Sequence, residues 1–184
     1  NMYKIISYKK VNIYLSNLED ANDLDKLKEN EIKTIFRLGD LKCDKINYGT
    51  DMKVEVFELE DNTWYVLEMF EAAIKIIHHI NKLSEEKVSD EGNVERNVLI
   101  HCNMGQSRSV TVICLFMILN LNMGYDSSID YIKKIKNDIR PNNRFILLMK
   151  QVESCHNDIY KLWKLYEKLK LENKEYIENK YLFS

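Results

Sequence analysis

The sequence contains few of the features that mark fibrous, low-complexity or membrane-spanning proteins. Its 184 residues include one proline and five glycines, and 45% of them are hydrophobic. These proportions argue against a fibrous or low-complexity chain and predict one globular domain. No apolar run is long enough to cross a bilayer. The formal net charge of −2 gives no electrostatic reason to expect nucleic acid or an anionic membrane as a partner.

Cysteine is also sparse and shows no metal-binding pattern. There is no Cys-x-x-Cys pair and no regular spacing with histidine, so we expect no structural zinc, no other metal and no bound cofactor. An even number of cysteines would allow disulfides, but nothing else indicates a small secreted scaffold. We therefore expect a soluble cytoplasmic protein, with the nucleus as a further compartment. The cysteines are Cys43, Cys102, Cys114 and Cys155.

Short β-branched runs predict five strands, at residues 4–6, 11–15, 33–38, 52–59 and 98–100. The last run is continuously apolar, which is typical of a central, buried strand. A short helix is expected before the third strand, with Asp20 or Asn22 as its N-cap. Leu24 and Leu27 are expected to point inward from this helix.

Apolar residues at three- and four-residue steps predict an amphipathic helix over 63–83 and a strongly apolar helix over 109–121 that stops at Gly124. Asp126 or Ser127 is expected to cap the next helix, which Pro141 ends, and one or two helices follow over 142–180. The charged residues 84–97 lack periodicity and predict a solvated loop. This order indicates an α/β fold, with a central mixed five-stranded sheet and helices on both sides.

The most informative segment is residues 101–109, His-Cys-Asn-Met-Gly-Gln-Ser-Arg-Ser, where the buried strand ends and the apolar helix begins. Helix N-termini attract anions, and ligands of open α/β sheets bind beyond the carboxyl ends of the strands. A loop this short must curl, so its amide N–H groups converge on one centre that suits a tetrahedral oxyanion. The predicted phosphate-binding residues are Asn103, Met104, Gly105, Gln106, Ser107 and Arg108.

Individual residues of this segment have distinct expected roles. Gly105 permits the backbone geometry of the curl, and Arg108 can clamp two phosphoryl oxygens. Cys102 lies beside the amides, the helix N-terminus and Arg108, so we expect a thiolate at neutral pH that attacks phosphorus in line. Ser109 can donate a hydrogen bond to the sulfur and help it leave. Cys102, Arg108 and Ser109 are therefore candidate catalytic residues.

The segment resembles the active-site motif of the protein tyrosine phosphatase superfamily, in which His-Cys-x5-Arg-Ser follows a hydrophobic strand. Its ending, Ser-Arg-Ser, is similar to that of the dual-specificity branch. Residues 11–59 resemble the opening of that family, and residues 140–145 resemble the start of its last helix. The resemblance implies a phosphatase-like catalytic domain over 3–152 and leaves 153–184 as a C-terminal helical extension, packed on the domain or projecting from it. Met104 departs from the family pattern, where a small alanine is common.

The resemblance also implies the reaction and a partner for the cysteine. Family members hydrolyse phosphotyrosine and phosphoserine or phosphothreonine in proteins through a cysteinyl-phosphate. They need a general acid, usually an aspartate on a loop after an upstream strand, and residues 58–62 resemble that loop. Asp61 is the candidate, first as an acid and then as a base that activates water. Its alternative role is to cap the helix that follows.

Several alternatives stay open at this point. Related enzymes that act on phosphoinositides or RNA 5′-phosphates often carry charged residues in the loop, and some relatives act on glucans. The uncharged loop here favours a phosphorylated protein as substrate. A binding pseudophosphatase typically lacks the cysteine or the arginine, and both are present. Trp163 and Tyr166 form an aromatic stripe that either packs on the domain or contacts a partner or a second copy. His101 is expected to be a buried orienting group.

Overall fold

Five strands form one mixed sheet in the computed structural model, which describes residues 1–86 and 96–182. The strands are β1 (Tyr3–Tyr8), β2 (Val11–Ser16), β3 (Ile32–Gly39), β4 (Lys53–Glu58) and β5 (Arg96–His101). Their spatial order is β1-β2-β5-β3-β4. Strand β1 pairs antiparallel with β2, and the other neighbours pair in parallel. The predicted mixed sheet is confirmed, with the continuously apolar run as its central strand.

The described residues form seven helices, which lie on both sides of the sheet. They are α1 (Leu18–Ala21), α2 (Leu24–Glu29), α3 (Val66–Glu85), α4 (Arg108–Leu121), α5 (Tyr125–Ile135), α6 (Asn143–Ser154) and α7 (Ile159–Leu182). Val98 and Ile100 of β5 face the larger core, which α3, α4 and α6 complete. Leu99, between them, faces a smaller cluster with Ala21 of α1 and Leu27 of α2. Alternate residues of one strand therefore serve two cores, as expected for a strand with both faces buried.

The register of the parallel strands brings several chain segments to one edge of the sheet. His101, the last residue of β5, pairs with Ser16 at the end of β2 and with Arg37 near the end of β3. The segments that leave these strands therefore start side by side. Beyond β4, Leu59 donates its backbone N–H to the carbonyl of Gly39 at 2.8 Å, which extends the alignment past the last paired residues. Residues that directly follow a strand at this edge therefore lie near the loop that follows β5.

The structure corrects the N-terminal helix. Two short helices replace the one predicted, and neither Asp20 nor Asn22 caps the second. Asp23 does, because its side chain accepts hydrogen bonds from the next turn of backbone N–H groups. Leu27 is fully buried as predicted, but Leu24 is 40% exposed. Leu24 is the first residue of this short helix and lies at the end that is exposed to solvent.

The end of one helix is confirmed and the bounds of the next differ from prediction. Helix α4 ends at Leu121 as predicted, but the residue that ends it is Asn122, in the left-handed conformation (φ +52°), and not Gly124. Gly124 instead occupies the N-cap position of α5, where Asp126 and Ser127 were predicted. Helix α5 ends at Ile135, six residues before the proline expected to stop it. The apolar character of α4 is confirmed, since its residues 108–118 are all buried.

Both ends of the segment predicted as a loop over 84–97 belong to regular elements. Ser84 and Glu85 belong to α3, and Arg96 and Asn97 belong to β5. Residues 87–95 lie outside the described residues. None of the described helices is long and apolar enough to span a membrane.

Helix α7 packs on α3 through part of its aromatic surface. The Tyr166 ring lies 6.1 Å from that of Phe70, and Tyr176 stacks on Trp64 at 4.1 Å. The side chains of Ile159, Tyr160 and Trp163 stay exposed, at 81%, 62% and 54%. Contact of this helix with a partner or a second copy stays a prediction.

Candidate active site

The loop 102–107 curls between β5 and α4 and is held from both sides. Its Asn103 carbonyl accepts the backbone N–H of Leu18 at 2.9 Å, and its Gln106 carbonyl accepts that of Arg140 at 2.7 Å. Gly105 has φ +65°, and a Cβ at this position would lie 2.8 Å from the carbonyl oxygen of Ser16. Only glycine combines that conformation with such a close approach. The curl is therefore fixed by contacts with the neighbouring strand end and with the segment before α6.

Cys102 lies at the bottom of this curl and is 3% exposed. Its Sγ is 3.1 Å from Oγ of Ser109, in the first turn of α4, and Ser109 is fully buried. When the sulfur is a thiolate, the serine O–H is the donor of this pair. Cys114, by contrast, lies inside α4, where burial raises the pKa of its thiol to about 12. The four cysteines are free.

The Arg108 guanidinium is buried, and one of its nitrogens is hydrogen-bonded while another has no partner among the described residues. Nη1 donates to the backbone oxygen of Leu59 at 2.8 Å and to Oδ1 of Asp40 at 2.7 Å. Nε is buried and has no hydrogen-bond partner among the described residues. Because a buried donor without a partner is costly, an unpaired Nε indicates a place for an acceptor that is not part of the chain. The Nε–Nη2 edge of a guanidinium matches two oxygens of a phosphoryl group.

Asp40 is a site residue that the sequence did not reveal. It directly follows β3, and its second oxygen, Oδ2, accepts a hydrogen bond from Nδ2 of Asn103 at 2.8 Å. One carboxylate therefore contacts both the first loop residue after the cysteine and the arginine that ends the loop. The signal was its place after a predicted strand, but only the order of strands in the sheet shows that β3 adjoins β5.

Asp61 also joins the loop, through its carboxylate oxygen Oδ1. This oxygen accepts hydrogen bonds from Oγ of Ser107 at 2.6 Å and from Nδ2 of Asn142 at 2.9 Å. The alternative in which Asp61 caps the next helix is wrong, because α3 begins at Val66 and its N-cap, Tyr65, makes no side-chain capping bond.

Asn142 is a second residue that sequence reasoning missed. Its Oδ1 accepts from the backbone N–H groups of Arg144 and Phe145, which makes it the N-cap of α6. Its backbone N–H donates to Oγ of Ser107 at 3.1 Å, while its Nδ2 reaches Asp61. The same residue therefore starts a helix and holds the candidate acid beside the loop. The resemblance of residues 140–145 to the start of the family's last helix indicated only the first role.

His101 is fully buried directly before the cysteine. Its Nδ1 lies 3.3 Å from the carbonyl oxygen of Cys102, and its Nε2 lies 2.9 Å from the hydroxyl of Tyr48. A carbonyl only accepts, so Nδ1 carries the hydrogen and Tyr48 donates to Nε2. Burial lowers the pKa of His101 to about 4 and raises that of Tyr48 to about 12. The imidazole is buried and hydrogen-bonded beside the cysteine, as expected, and Tyr48 is a partner that sequence reasoning missed.

The side chains of loop residues 103–107 carry no charge, although charged side chains lie beside the loop. Met104 is 64% exposed, and Nε2 of Gln106 lies 3.4 Å from Oδ2 of Asp138. Among the described residues no group of three His, Cys, Asp or Glu side chains could hold a metal ion. The arrangement therefore offers a thiol, a guanidinium edge and a carboxylate around one anion-binding loop.

Comparison with known proteins gives a consistent result. Residues 13–155 match the family model described as "Dual specificity phosphatase, catalytic domain". A probable dual specificity protein phosphatase of Dictyostelium discoideum is 28% identical over 83% of this chain and 65% of its own length. Human dual specificity protein phosphatase 7 is 26% identical over 73% of this chain and 30% of its own length. The chain therefore spans less than two thirds of either relative.

A solved structure shows the same fold. The human tyrosine phosphatase-like serine/threonine/tyrosine-interacting protein superposes with a TM-score of 0.67 at 19% identity, over 84% of this chain and 97% of that one. The identity is too low to carry more than the fold. The family model, in contrast, covers most of the chain and includes every residue of the loop. The chain belongs to the dual specificity phosphatase catalytic-domain family.

Proposed function

We propose that this domain hydrolyses phosphate monoesters in proteins, on tyrosine and on serine or threonine, through a cysteinyl-phosphate. The observation that carries the proposal is the unpaired, buried Nε of Arg108 at a curled loop that begins with Cys102. Nη1 of this guanidinium is already bound by Asp40 and Leu59, and its remaining Nε–Nη2 edge matches an anion that offers two oxygens in one plane. A phosphoryl group supplies them and places its phosphorus above the sulfur.

In the first step the Cys102 thiolate attacks phosphorus, and the bond from phosphorus to the leaving oxygen breaks. Asp61 gives that oxygen its proton, so the alcohol or phenol leaves neutral. Its Oδ1 is occupied by Ser107 and Asn142, which leaves Oδ2 as the oxygen that carries the proton. The products are the free hydroxyl compound, the cysteinyl-phosphate and an ionised Asp61.

In the second step water attacks the phosphorus of the intermediate. Asp61 takes the proton from water, the phosphorus–sulfur bond breaks, and the thiolate returns. Ser109 donates its O–H to the developing negative charge on sulfur, over the 3.1 Å that separates the two atoms. Inorganic phosphate is released, and every group returns to its starting protonation state.

The uncharged side chains of the loop support a protein substrate. A polyanionic head group binds more strongly where lysine or arginine lines the loop, whereas Asn103, Met104 and Gln106 carry no charge. The exposed Met104 offers an apolar surface instead, which suits the side chains around a phosphorylated residue. Rates on phosphotyrosyl peptide, phosphothreonyl peptide and phosphoinositide vesicles test this point. A clear preference for the vesicles would overturn it.

The test of the reaction replaces Cys102 by serine. We expect Cys102→Ser to lose turnover of an aryl phosphate while its thermal unfolding stays close to that of the parent. Mass spectrometry of the rapidly quenched parent should find a phosphoryl adduct on the peptide with Cys102. Cys43→Ser is the matched control, because Cys43 is a partly buried thiol outside the loop, and it should keep full activity. Comparable turnover by Cys102→Ser would exclude the proposed nucleophile.

A further inference from the structure

Among the described residues, Asp40 is the one acidic side chain that contacts both ends of the phosphate-binding loop. Oδ1 pairs with Nη1 of Arg108 at 2.7 Å, and Oδ2 accepts from Nδ2 of Asn103 at 2.8 Å. The carboxylate is half exposed, whereas the Arg108 side chain is 5% exposed. A negative charge this close to an anion site works against the anion, so its presence there needs a reason.

The direction of the Arg108 guanidinium supplies that reason. Nη1 has two hydrogens, and its two acceptors are the carboxylate of Asp40 and the carbonyl of Leu59. These acceptors come directly after β3 and β4, so the sheet itself fixes their positions. With Nη1 held on one side, the Nε–Nη2 edge is turned to the other side, where Nε has no partner among the described residues. A guanidinium is rigid and planar, so fixing Nη1 orients the whole fork.

The contact with Asn103 extends the same support to the loop backbone. The Asn103 carbonyl is held by the N–H of Leu18, and its side chain is held by Asp40. The residue after the nucleophile is thereby fixed by the segments that follow β2 and β3. Loop amides and guanidinium must converge on one phosphoryl group, so a single carboxylate that contacts both elements keeps them in register.

We propose that Asp40 is a positioning residue for phosphate binding, which orients Arg108 and Asn103 and does not compete with the substrate for the arginine. The proposal rests on the proposed phosphatase function. A positioning role and a role in which Asp40 competes with the substrate for Arg108 predict opposite effects on anion binding. A positioning carboxylate strengthens anion binding, and a competing one weakens it.

Two variants of Asp40 and one control separate these roles. Asp40→Ala removes both hydrogen bonds. Asp40→Asn can keep one of them, because an amide has one acceptor oxygen and its nitrogen would face the Asn103 donor. Asp44→Asn, at an exposed position of the same segment, makes the same change in charge as Asp40→Asn and serves as the control.

The first readout is inhibition of aryl phosphate hydrolysis by inorganic phosphate and by orthovanadate. We expect the inhibition constants to rise about tenfold or more in Asp40→Ala and by less in Asp40→Asn, since charge-assisted hydrogen bonds to a buried cation are lost. The value of kcat/KM should fall by about 10- to 100-fold in the same order, since displacement of a positioning group has effects of that size. The Asp44→Asn constants should equal those of the parent. Unchanged or smaller inhibition constants in Asp40→Ala would overturn the proposal.

The second readout does not depend on turnover. Iodoacetate is an anion that can use Arg108 as it approaches Cys102, whereas iodoacetamide is neutral. The ratio of their alkylation rates should fall in Asp40→Ala, and an unchanged ratio would contradict the positioning role. A purely structural role would lower the melting temperature and leave this ratio unchanged in the folded protein. If the parent itself shows no turnover, the proposed function fails, while the alkylation ratio still decides the role of Asp40.

Discussion

Replacing Asp61 by asparagine should remove proton transfer and leave the rest of the site in place. Both hydrogen bonds to the carboxylate reach Oδ1, from Ser107 Oγ at 2.6 Å and from Asn142 Nδ2 at 2.9 Å. An asparagine can present its own oxygen to these donors and keep both bonds. Its nitrogen then takes the place of Oδ2, and an amide does not transfer a proton at neutral pH. The change is therefore chemical and not structural.

The size of the effect depends on the leaving group. General acid catalysis contributes about 10²- to 10⁴-fold to a rate, which corresponds to about 3–5 kcal/mol of the barrier. An alkoxide such as that of serine is a poor leaving group, so a phosphoseryl substrate should lose the full amount. A nitrophenolate leaves readily without a proton, so its phosphate ester should lose much less. The loss should grow steadily between these extremes.

A series of aryl phosphates, together with phosphotyrosyl and phosphoseryl peptides, measures this dependence. We expect kcat/KM of the parent to vary little with the acidity of the leaving group and that of Asp61→Asn to fall steeply as the group becomes less acidic. Asp44→Asn should follow the parent line. Two parallel lines would refute the assignment, because a constant loss means that Asp61 contributes binding or structure and not a proton.

Two further predictions concern stability and the loop. Burial lowers the pKa of His101 to about 4 against an ordinary value of 6.5, so the unfolded chain takes up a proton first as the pH falls. The stability that neutral His101 contributes is therefore complete above pH 6.5, and about 3 kcal/mol of it is lost as the pH falls to 4. Urea unfolding at pH 7 and 4.5 should show a smaller loss of unfolding free energy in His101→Gln than in the parent. An equal loss would contradict the buried neutral imidazole. Gly105→Ala should weaken phosphate binding and lower the melting temperature, because its Cβ would meet the Ser16 oxygen at 2.8 Å. Gly49→Ala has the same kind of positive φ but meets only Leu24 Cδ2 at 4.0 Å, so an equal phosphate-binding loss there would show that the contact with Ser16 is not the cause.

Local patterns were sufficient for the elements of the site that lie within one stretch of chain. The apolar run of β5, the curl with Gly105 and the start of α4 follow each other directly, so composition and spacing define them. Helix ends were less predictable. Both Asn122 and Gly124 suit the end of α4, and in the structure Asn122 takes the left-handed position while Gly124 becomes the N-cap of α5.

Residues that act from a distance could not be derived in this way. Tyr48 and Asn142 reach the site from segments far along the chain, where the sequence shows only an irregular stretch and a helix start. Asp40 follows a predicted strand, but its contact with Arg108 requires β3 to adjoin β5. The order of strands in the sheet depends on how the whole domain buries both faces of the sheet, so it cannot be derived from one stretch of sequence. Family resemblance supplied Asp61 because the pattern around it is local.

The two aspartates at this site differ in what their oxygens can do, and that difference assigns their roles. Each oxygen of Asp40 accepts one hydrogen bond, from a guanidinium and from an amide. Such a carboxylate is fixed in place and is suited to orient its donors. Asp61 receives both of its hydrogen bonds on Oδ1, which hold the side chain in position and leave Oδ2 for proton transfer. Two identical side chains, placed after neighbouring parallel strands, are thereby distinguished by their environments. If the roles are as proposed, Asp40 variants should change anion affinity across all substrates alike, and Asp61 variants should change the dependence on the leaving group.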